Sequence, residues 1–510
     1  MTAQVRNPEG EQRNAALLTN SAAIAAIAAA VAGTMGPKGL DTMLVDRFGE
    51  VVVTNAGVTI LEKMQVNHPA ARMLIKVAKA QQEEIGDGTT TATLMASTLI
   101  AEGVNQVVRG VPVARVIEGM RSGIKCALEG LARRSRPMDA SDSPLLERVA
   151  YISGRAHADI AALVVRAAQL IGQDKLKERS FRLADTIRAE EGIANEVFMG
   201  VIVSKGRKNR QVPAGVRNAR ILVLDDALEP EAVEDEALAT ESGFKKYLEL
   251  QADFQTYIRK IIGLGVTVCL VERGMHDIAE EMLTDAGVLV ICRVPANELR
   301  QVCEHTGARA IKRTALRKAG EELVRCLGEA SECFEDESLR QVRILGGSGK
   351  PMATIAVGAA TAEVVGERLR IARDAASAVQ AAVRGGYVPG GGAVEIALAK
   401  DVERARDTVK GMAAYGLDCV SAALRRPLAQ IVQNAGFNPL EKVEEVAALQ
   451  LASDSDAVGI NCDTGEAADM LALGVVDPTL VKLHAVKAAG EVAEAILRID
   501  TIIKMTDTEG

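Results

Sequence analysis

The sequence has 510 residues, which is too long for one hydrophobic core and predicts about three domains. An apolar fraction of 48% with 25% charged residues excludes a disordered chain. The net charge of -8 argues against nucleic acid as the main partner, and the basic run at residues 205–220, which lacks aromatic residues, favours a solvated hairpin.

The first 135 residues favour long helices interrupted by glycine-rich loops. Asn20 and Ser21 could cap an alanine-rich helix that ends at Gly33. Its apolar stretch, residues 22–33, is too short to span a membrane, and acidic residues precede it, so we expect neither an anchor nor a signal peptide. The pattern then predicts strands at residues 42–46 and 50–54 and helices at 69–84, 89–108 and 112–133.

The middle of the chain has a different pattern. After helical sequence at residues 138–199, strand-like segments alternate with helices: strands at 197–204, 219–224, 266–271 and 288–292, and helices at 276–284 and 296–305. This alternation predicts a small α/β domain. Residues 225–244 carry eight acidic residues and no basic one, and with the helix after them they indicate a projection from that domain.

From Gly390 onward the chain returns to alanine-rich helices. The chain therefore begins and ends in the same style, and the simplest architecture is a discontinuous helical domain with an inserted α/β domain. The eight cysteines are scattered without a CxxC pair, which favours reduced thiols in a cytosolic protein over disulfides or a zinc site.

The strongest chemical signal is the loop GDGTTTA at residues 86–92. Its two glycines let a ligand approach the backbone, and its threonines begin a helix, whose exposed N–H groups favour phosphate. Asp87 is a hard oxygen ligand suited to Mg²⁺ that bridges phosphates. An Asp/Thr cap on an ordinary helix is the alternative interpretation.

Four other loops are less specific. GGSGK at residues 346–350 resembles a Walker fragment, but Ile344 stands where the first glycine should be and Pro351 replaces the Ser/Thr, so we interpret it as a domain-joining loop. TMGPKG at 34–39 and VPGGGA at 388–393 could each be a cap or hinge, and GVVDP at 474–478 ends a helix with a carboxylate that could accept from ribose hydroxyls.

Together these motifs resemble the chaperonin family. TMGPKGLDTMLVD, VTNAGVTIL, NHPAA, GDGTTTA, VPGGGA and GVVDP stand in the order found in chaperonins, and the resemblance runs over residues 16–504. NHPAA and the LVD and TIL contexts resemble the archaeal and eukaryotic cytosolic type, whereas VGAAT at 357–361 resembles the bacterial and organellar type. The mixture is similar to the bacterial set of archaeal-like, thermosome-like chaperonins called group III.

The resemblance implies a multidomain α and α/β fold. A mostly helical equatorial ATP-binding domain is expected at residues 1–137 and 390–510, and a small intermediate hinge domain at 138–199 and 346–389. The inserted α/β apical, substrate-binding domain is expected at residues 200–345. A helical lid protrusion at about 225–262 would make a separate co-chaperonin unnecessary.

The resemblance also implies roles for individual residues. Those implied to bind the nucleotide are Thr34, Met35, Gly36, Pro37, Gly86, Asp87, Gly88, Thr89, Thr90 and Thr91, with Asp87 holding Mg²⁺, Gly391 facing the ribose and Asp477 facing ribose or base. Asp374 matches the aspartate that activates water. From the residues alone, a surface salt bridge between Asp374 and Arg370 is the preferred alternative.

Two residues depart from the family pattern. Ala56 stands where members have an Asp that assists Mg²⁺ and the attacking water, so we expect ATP binding to survive better than hydrolysis. Ala56 is thus the position of a missing catalytic carboxylate. Arg155 stands where archaeal members place a phosphate-sensing Lys, which keeps the charge but changes its geometry.

The function implied is that of an ATP-dependent chaperone that encloses unfolded polypeptides, with ATP/ADP and Mg²⁺ as ligands. We expect two stacked rings of eight subunits in the cytoplasm, without nucleic-acid or membrane partners. An ATP-binding holdase scaffold with little turnover is the alternative, and Ala56 separates the two. Ile278, Met282 and Leu283 could line a substrate groove between the helices at 275–283 and 299–305, or could belong to a core.

Overall fold

The computed structural model describes residues 8–141, 143–231 and 240–502. The α-helices within these ranges are α1 Pro8–Ala32, α2 Gly57–Lys63, α3 Pro69–Glu84, α4 Thr89–Val108, α5 Val113–Arg134, α6 Ser143–Ser153, α7 Ala158–Ile171, α8 Gln173–Lys177, α9 Glu241–Gly263, α10 Asp277–Asp285, α11 Ala296–Thr306, α12 Gly320–Val324, α13 Ala362–Gly385, α14 Ala393–Arg406, α15 Ala414–Asn434, α16 Pro439–Ser453 and α17 Thr479–Leu497. The strands are β1 Thr42–Val45, β2 Val51–Thr54, β3 Ile187–Glu191, β4 Glu196–Val203, β5 Gly215–Leu224, β6 Val268–Val271, β7 Leu289–Cys292, β8 Gly328–Asp336, β9 Gln341–Gly347, β10 Ala353–Ala359, β11 Tyr387–Pro389, β12 Val458–Ile460, β13 Ala467–Asp469 and β14 Val476–Pro478. Two 3₁₀ turns lie at Leu183–Thr186 and Arg313–Arg317.

Helices from the two ends of the chain share one hydrophobic core. Leu99 of α4 is buried in the same cluster as Leu417 of α15 and Ile496 of α17. The small residues of these helices allow close approach, as where the Cα atoms of Gly119 and Gly416 face each other across α5 and α15. The predicted discontinuous helical unit is therefore present, and the mixed helical and α/β fold class is confirmed.

The first helix differs from the prediction. It begins at Pro8, so Asn20 and Ser21 lie inside α1 and do not cap it. Because the helix is longer than predicted, the length argument against a membrane span is wrong: the segment Ala15–Ala32 is long and apolar enough by composition. In this fold Leu17 and Ile24 of that segment are fully buried against the helical core.

The inserted α/β part contains an eight-stranded mixed sheet in the order β3-β10-β4-β9-β8-β5-β6-β7. The pairs β3/β10, β5/β6 and β6/β7 are parallel, and the others are antiparallel. The four strands predicted in this region are confirmed. The hairpin predicted at residues 205–220 is wrong, because β9 and β8 separate β4 from β5. Some of the basic residues in this run form ion pairs, as Arg207 does with Glu335 at 2.9 Å.

The helices that we proposed to form a substrate groove pack on opposite faces of this sheet. Leu283 of α10 is buried with Leu222 of β5, whereas Leu299 of α11 is buried in the cluster that holds Ile221. Alternate strand residues point to opposite faces, so these helices cover different faces. The structure therefore supports the core interpretation for Leu283, while Ile278 and Met282 stay partly exposed.

The predicted projection contains one long helix, α9. Its C-terminal half packs on the sheet through Phe254 and Ile258, whereas Phe244 and Leu248 in its N-terminal half are exposed. Residues 232–239 of the acidic stretch before it lie outside the described residues.

The loop at residues 346–350 connects β9 to β10 within the sheet and packs on the end of α11. The Gly349 N–H donates to the carbonyl of His305 at 2.8 Å. Nearby, the buried Nζ of Lys175 in α8 lies 2.7 Å from Glu304 Oε2 and 3.0 Å from Glu178 Oε2. Lys350 Nζ donates to Glu178 Oε1 at 2.9 Å, so an ion-pair cluster joins α8, α11 and this loop.

Candidate functional site

One cavity of about 700 Å³ is lined by residues from both ends of the chain and from α13. All fifteen residues singled out in the sequence lie on its wall: Thr34, Met35, Gly36, Pro37, Ala56, Gly86, Asp87, Gly88, Thr89, Thr90, Thr91, Arg155, Asp374, Gly391 and Asp477. A cavity of this size holds a molecule as large as a nucleotide.

The N-terminus of α4 forms one wall of the cavity. Gly88 caps the helix with φ 79°, a left-handed conformation that favours glycine. A Cβ on Gly88 would lie 2.5 Å from Val481 Cγ1, and a Cβ on Gly86 would lie 2.3 Å from Ser377 Oγ. Both glycines are thus required for the loop to pack closely, and the free N–H groups of the first helical turn favour an anion in the cavity.

Asp87 is held in place by two donors. Its carboxylate accepts from the Gly88 N–H at 2.6 Å and from Ser153 Oγ at 3.0 Å. Burial raises the pKa of Asp87, and nearby Asp477 adds to the effect. A nearby cation would stabilise the ionised form of this carboxylate against the cost of burial, so the environment of Asp87 fits a metal ion.

The described residues contain no cluster of three His, Cys, Asp or Glu side chains that could hold a metal by themselves. Magnesium commonly binds through one or two carboxylates and takes its other ligands from phosphates and water. Asp87 beside the anion-binding helix end is consistent with that arrangement.

The position of Asp374 fits both interpretations given above, a salt bridge with Arg370 and a carboxylate that activates water. It forms the expected ion pair, with Arg370 Nη1 3.1 Å from Asp374 Oδ2. Both side chains are partly buried, 18% and 15% exposed, and both line the cavity, so this is not a surface salt bridge. Burial raises the pKa of Asp374 to about 7, although Arg370 opposes the shift. A carboxyl group that titrates near neutral pH is suited to accept a proton.

Ala56 lies on the cavity wall at the N-cap of α2, with 6% of its surface exposed. Its methyl group accepts no hydrogen bond, and the N–H groups of the first turn of α2 lack a side-chain cap there. The neighbouring Asn55 Oδ1 lies 3.4 Å from Arg370 Nη2. A longer acidic side chain at position 56 would extend toward the cavity that Asp87 and Asp374 share.

Arg155 brings a positive charge to the cavity wall. Arg155 and Ala156 have φ of 54° and 62°, and the left-handed region is costly for residues with a side chain. Arg155 Nη1 is buried without a hydrogen-bond partner among the described residues. Burial lowers the pKa of Arg155, and Arg370 lowers it further. An unpaired buried guanidinium beside an anion-binding helix end favours a negatively charged ligand.

Asp477 does not end a helix, as its motif had predicted. It lies in β14, opposite Val388 of β11, just before α17 begins. The strand pairing joins the glycine-rich loop at residues 390–392 to Asp477. Gly391 lies in the left-handed region with φ 64°, which allows its backbone to form part of the cavity wall.

Sequence reasoning missed several residues of this site. Lys482 lines the cavity and forms ion pairs with Asp477 and with the buried Glu395. Buried Gln81 bonds the backbone of the GDGTTTA loop. None belongs to a glycine-rich motif. A lysine five residues after Asp477 and a glutamate in the first turn after the glycine loop are the only sequence signals, and neither identifies a partner.

Comparisons with known proteins agree over nearly the whole chain. Residues 27–507 match the model of the TCP-1/cpn60 chaperonin family. Thermosome subunit beta of Archaeoglobus fulgidus is 34% identical, with 97% of this chain and 93% of that protein covered. The thermosome subunit of Pyrococcus horikoshii is 32% identical, with 98% and 94% covered. A crystal structure of a group III chaperonin in the open state is 46% identical, with a TM-score of 0.86 over 97% of this chain and 100% of that one.

Proposed function

Because the chain belongs to the TCP-1/cpn60 chaperonin family, we propose that its cavity binds ATP with Mg²⁺ and that Ala56 slows hydrolysis of the bound nucleotide. The chain is an ATP-dependent chaperonin that couples ATP hydrolysis to protein folding. The observation that carries the nucleotide site is the meeting of all fifteen motif residues in one cavity.

The phosphates would bind at the N-terminus of α4. There the first-turn N–H groups and the hydroxyls of Thr89, Thr90 and Thr91 supply donors, and Arg155 supplies a positive charge. Magnesium, held by Asp87, would neutralise phosphate charge. Thr34 to Pro37, Gly391 and Asp477, which line the same cavity, would face the nucleoside.

Asp374 is the proposed general base. Its raised pKa lets it take a proton from water near neutral pH, and Arg370 fixes its orientation through Oδ2. A second carboxylate at position 56 would help to place the attacking water. Since Ala56 has none, we expect the protein to bind ATP well and to hydrolyse it slowly.

The experiment is steady-state ATP hydrolysis by the purified assembly and by an Ala56→Asp variant prepared identically. A rate at least tenfold higher in the variant supports a missing catalytic carboxylate. An Ala56→Asp/Asp374→Asn double variant should lose that gain, because the base is then absent. Equal, substantial rates for the wild type and Ala56→Asp would show that another group suffices, and failure of the wild type to bind ATP would contradict the nucleotide site itself.

A holdase scaffold that binds ATP with little turnover is the second candidate, and Ala56 favours it. It would protect a denatured protein from aggregation in the presence of ATP without releasing it folded. Ala56→Asp should then convert protection into recovery of native activity. Recovery by the wild type at the rate of the variant would exclude the holdase.

The family assembles as ring-shaped oligomers that bind unfolded polypeptides. For this chain we propose two stacked rings of eight subunits in the cytoplasm. The equatorial, hinge and apical domains are proposed at the boundaries given above, and α9 is proposed as part of a built-in lid. Electron microscopy of the assembly with ATP counts the subunits directly, and rings with seven-fold or nine-fold symmetry would contradict the proposed eight subunits per ring.

A further inference from the structure

Lys482 lies between two carboxylates at the edge of the cavity. Its Nζ is 2.7 Å from Asp477 Oδ2 and 2.7 Å from Glu395 Oε1. The side chain of Lys482 is 9% exposed and that of Glu395 is 1% exposed, so both charges are withdrawn from water. The three residues come from α17, β14 and the first turn of α14, and the cluster therefore ties three elements together.

The charges of Lys482, Asp477 and Glu395 interact strongly. Burial alone would lower the pKa of Lys482, but Asp477 and then Glu395 more than offset it and raise the pKa above the ordinary value. The two carboxylates therefore favour the charged form of Lys482. A buried ion pair is costly to form and is rigid once formed, since breaking it leaves an uncompensated charge.

Asp477 is fixed from three sides. Its backbone pairs with Val388, and Gly390 packs against its carboxylate, where a Cβ would lie 3.1 Å from Asp477 Cγ. Lys482 occupies Oδ2. Within the described part of the chain no donor bonds Oδ1, and Asp477 lines the cavity, so one carboxylate oxygen remains able to accept a hydrogen bond.

We propose that Lys482, held by Glu395, is a positioning residue that fixes Asp477 so that its free oxygen accepts a hydrogen bond from a ribose hydroxyl, which makes the cavity selective for ribonucleotides over deoxyribonucleotides. The inference rests on the proposed nucleotide function. It assigns Lys482 no contact with the phosphates, because its ammonium group already forms ion pairs with two carboxylates.

The experiment compares dissociation constants of the full assembly for ATP, 2′-deoxy-ATP and 3′-deoxy-ATP, measured by isothermal titration so that slow hydrolysis does not interfere. The wild type should bind ATP at least about tenfold more tightly than one of the two deoxy analogues, the magnitude expected for a hydrogen bond to a charged group. In Lys482→Met the constant for ATP should rise by about tenfold while that for the same analogue changes less than twofold. Selectivity is then lost although the nucleotide still binds.

Two further variants separate positioning from folding. Lys482→Met/Glu395→Gln avoids leaving Glu395 buried without its cation, and it should lose the selectivity in the same way. Lys487→Met on the same helix removes an exposed lysine, whose ion pair with Glu491 is 4.0 Å long, and should keep the wild-type ratio of the ATP and deoxy-ATP dissociation constants.

The outcomes are distinct. If both Lys482 variants keep the wild-type ratio of dissociation constants for the deoxy analogue and ATP, the inference is overturned. An equal loss of affinity for ATP and for both analogues would also overturn it. A wild type that binds ATP but does not distinguish either analogue would also overturn it, while leaving the proposed function intact. A wild type that binds no ATP would overturn both.

Discussion

Gln81 donates its side-chain amide to the backbone carbonyl of Asp87 at 2.7 Å and to that of Val481 at 3.3 Å. Its side-chain oxygen lies 2.7 Å from His484 Nδ1. Gln81 is fully buried and does not line the cavity. It therefore holds the loop before α4 against α17 without touching a ligand.

Gln81→Leu should weaken binding of ATP with Mg²⁺ by about tenfold, because two carbonyls lose a donor and the loop is no longer fixed. Titration with ATP measures the effect. Gln380→Leu is the matched control: Gln380 is also buried and donates to two carbonyls, those of Leu176 and Phe181, each at 2.9 Å and away from the cavity. Equal losses of ATP affinity in both variants would contradict a specific role for Gln81.

Hydrolysis should depend on the ionisation of Asp374. As the general base it must be deprotonated, so the rate should rise with pH through about 7, the pKa to which burial raises this group. Asp374→Asn should lower the rate by ~10²–10⁴ and remove that limb of the pH profile. A variant with the wild-type pH profile would exclude Asp374 as the base.

The same group predicts a pH dependence of stability. Below the unfolded value of 3.8, Asp374 carries a proton in both states, but between 3.8 and about 7 only the folded protein keeps it. Stability contributed by this group is therefore lost as pH rises through that window. The melting temperature of nucleotide-free Asp374→Asn, relative to the wild type, should be higher at pH 8 than at pH 4, and a difference independent of pH would contradict the assignment.

Arg155→Met should have opposite effects on stability and binding. In the free protein it removes a buried cation that burial and Arg370 both disfavour, so the melting temperature should rise. Affinity for ATP should fall by about tenfold and affinity for adenosine should stay within twofold, since only ATP offers an anion. A parallel loss of affinity for adenosine would instead indicate a general collapse of the cavity.

The ion-pair cluster of α8, α11 and the 346–350 loop should restrain movement between these elements. Lys175→Met leaves the carboxylates of Glu178 and Glu304 without their shared cation, and amide hydrogen exchange in α8 and the loop should accelerate by about tenfold. Lys177→Met, at an exposed position of the same helix, is the control. Unchanged exchange in Lys175→Met would show that packing alone holds α11.

Much of the fold was predictable because its signals are local. Helices α3 and α4 begin and end where the sequence predicted, at a proline and at a glycine-rich loop. The errors arose where tertiary structure decides. Nothing near Asn20 shows that α1 continues back to Pro8, and the basic run gave no sign that β8 and β9 insert between β4 and β5.

The candidate site was likewise predictable where the signal is local and not where tertiary structure decides. Glycine-rich loops were recognisable because close approach and positive φ require glycine, as at Gly88 and Gly391. The residues that hold those loops in place could not be recognised from the sequence. Gln81 and Val481 are 400 positions apart, and Lys482 joins Glu395 to Asp477 across separate elements, so only the folded chain pairs them.

The packing of α17, near the end of the sequence, against α3 and α4, near its beginning, determines the order in which parts of the fold can form during synthesis. The eight-stranded sheet is complete once β10 has left the ribosome, because none of its strands follows residue 359. The cavity, by contrast, lacks Asp477 and Lys482 until more than a hundred further residues have been synthesised. A nascent chain that has released only the sheet thus cannot form the whole cavity, and the eight-stranded sheet can fold before the cavity is complete.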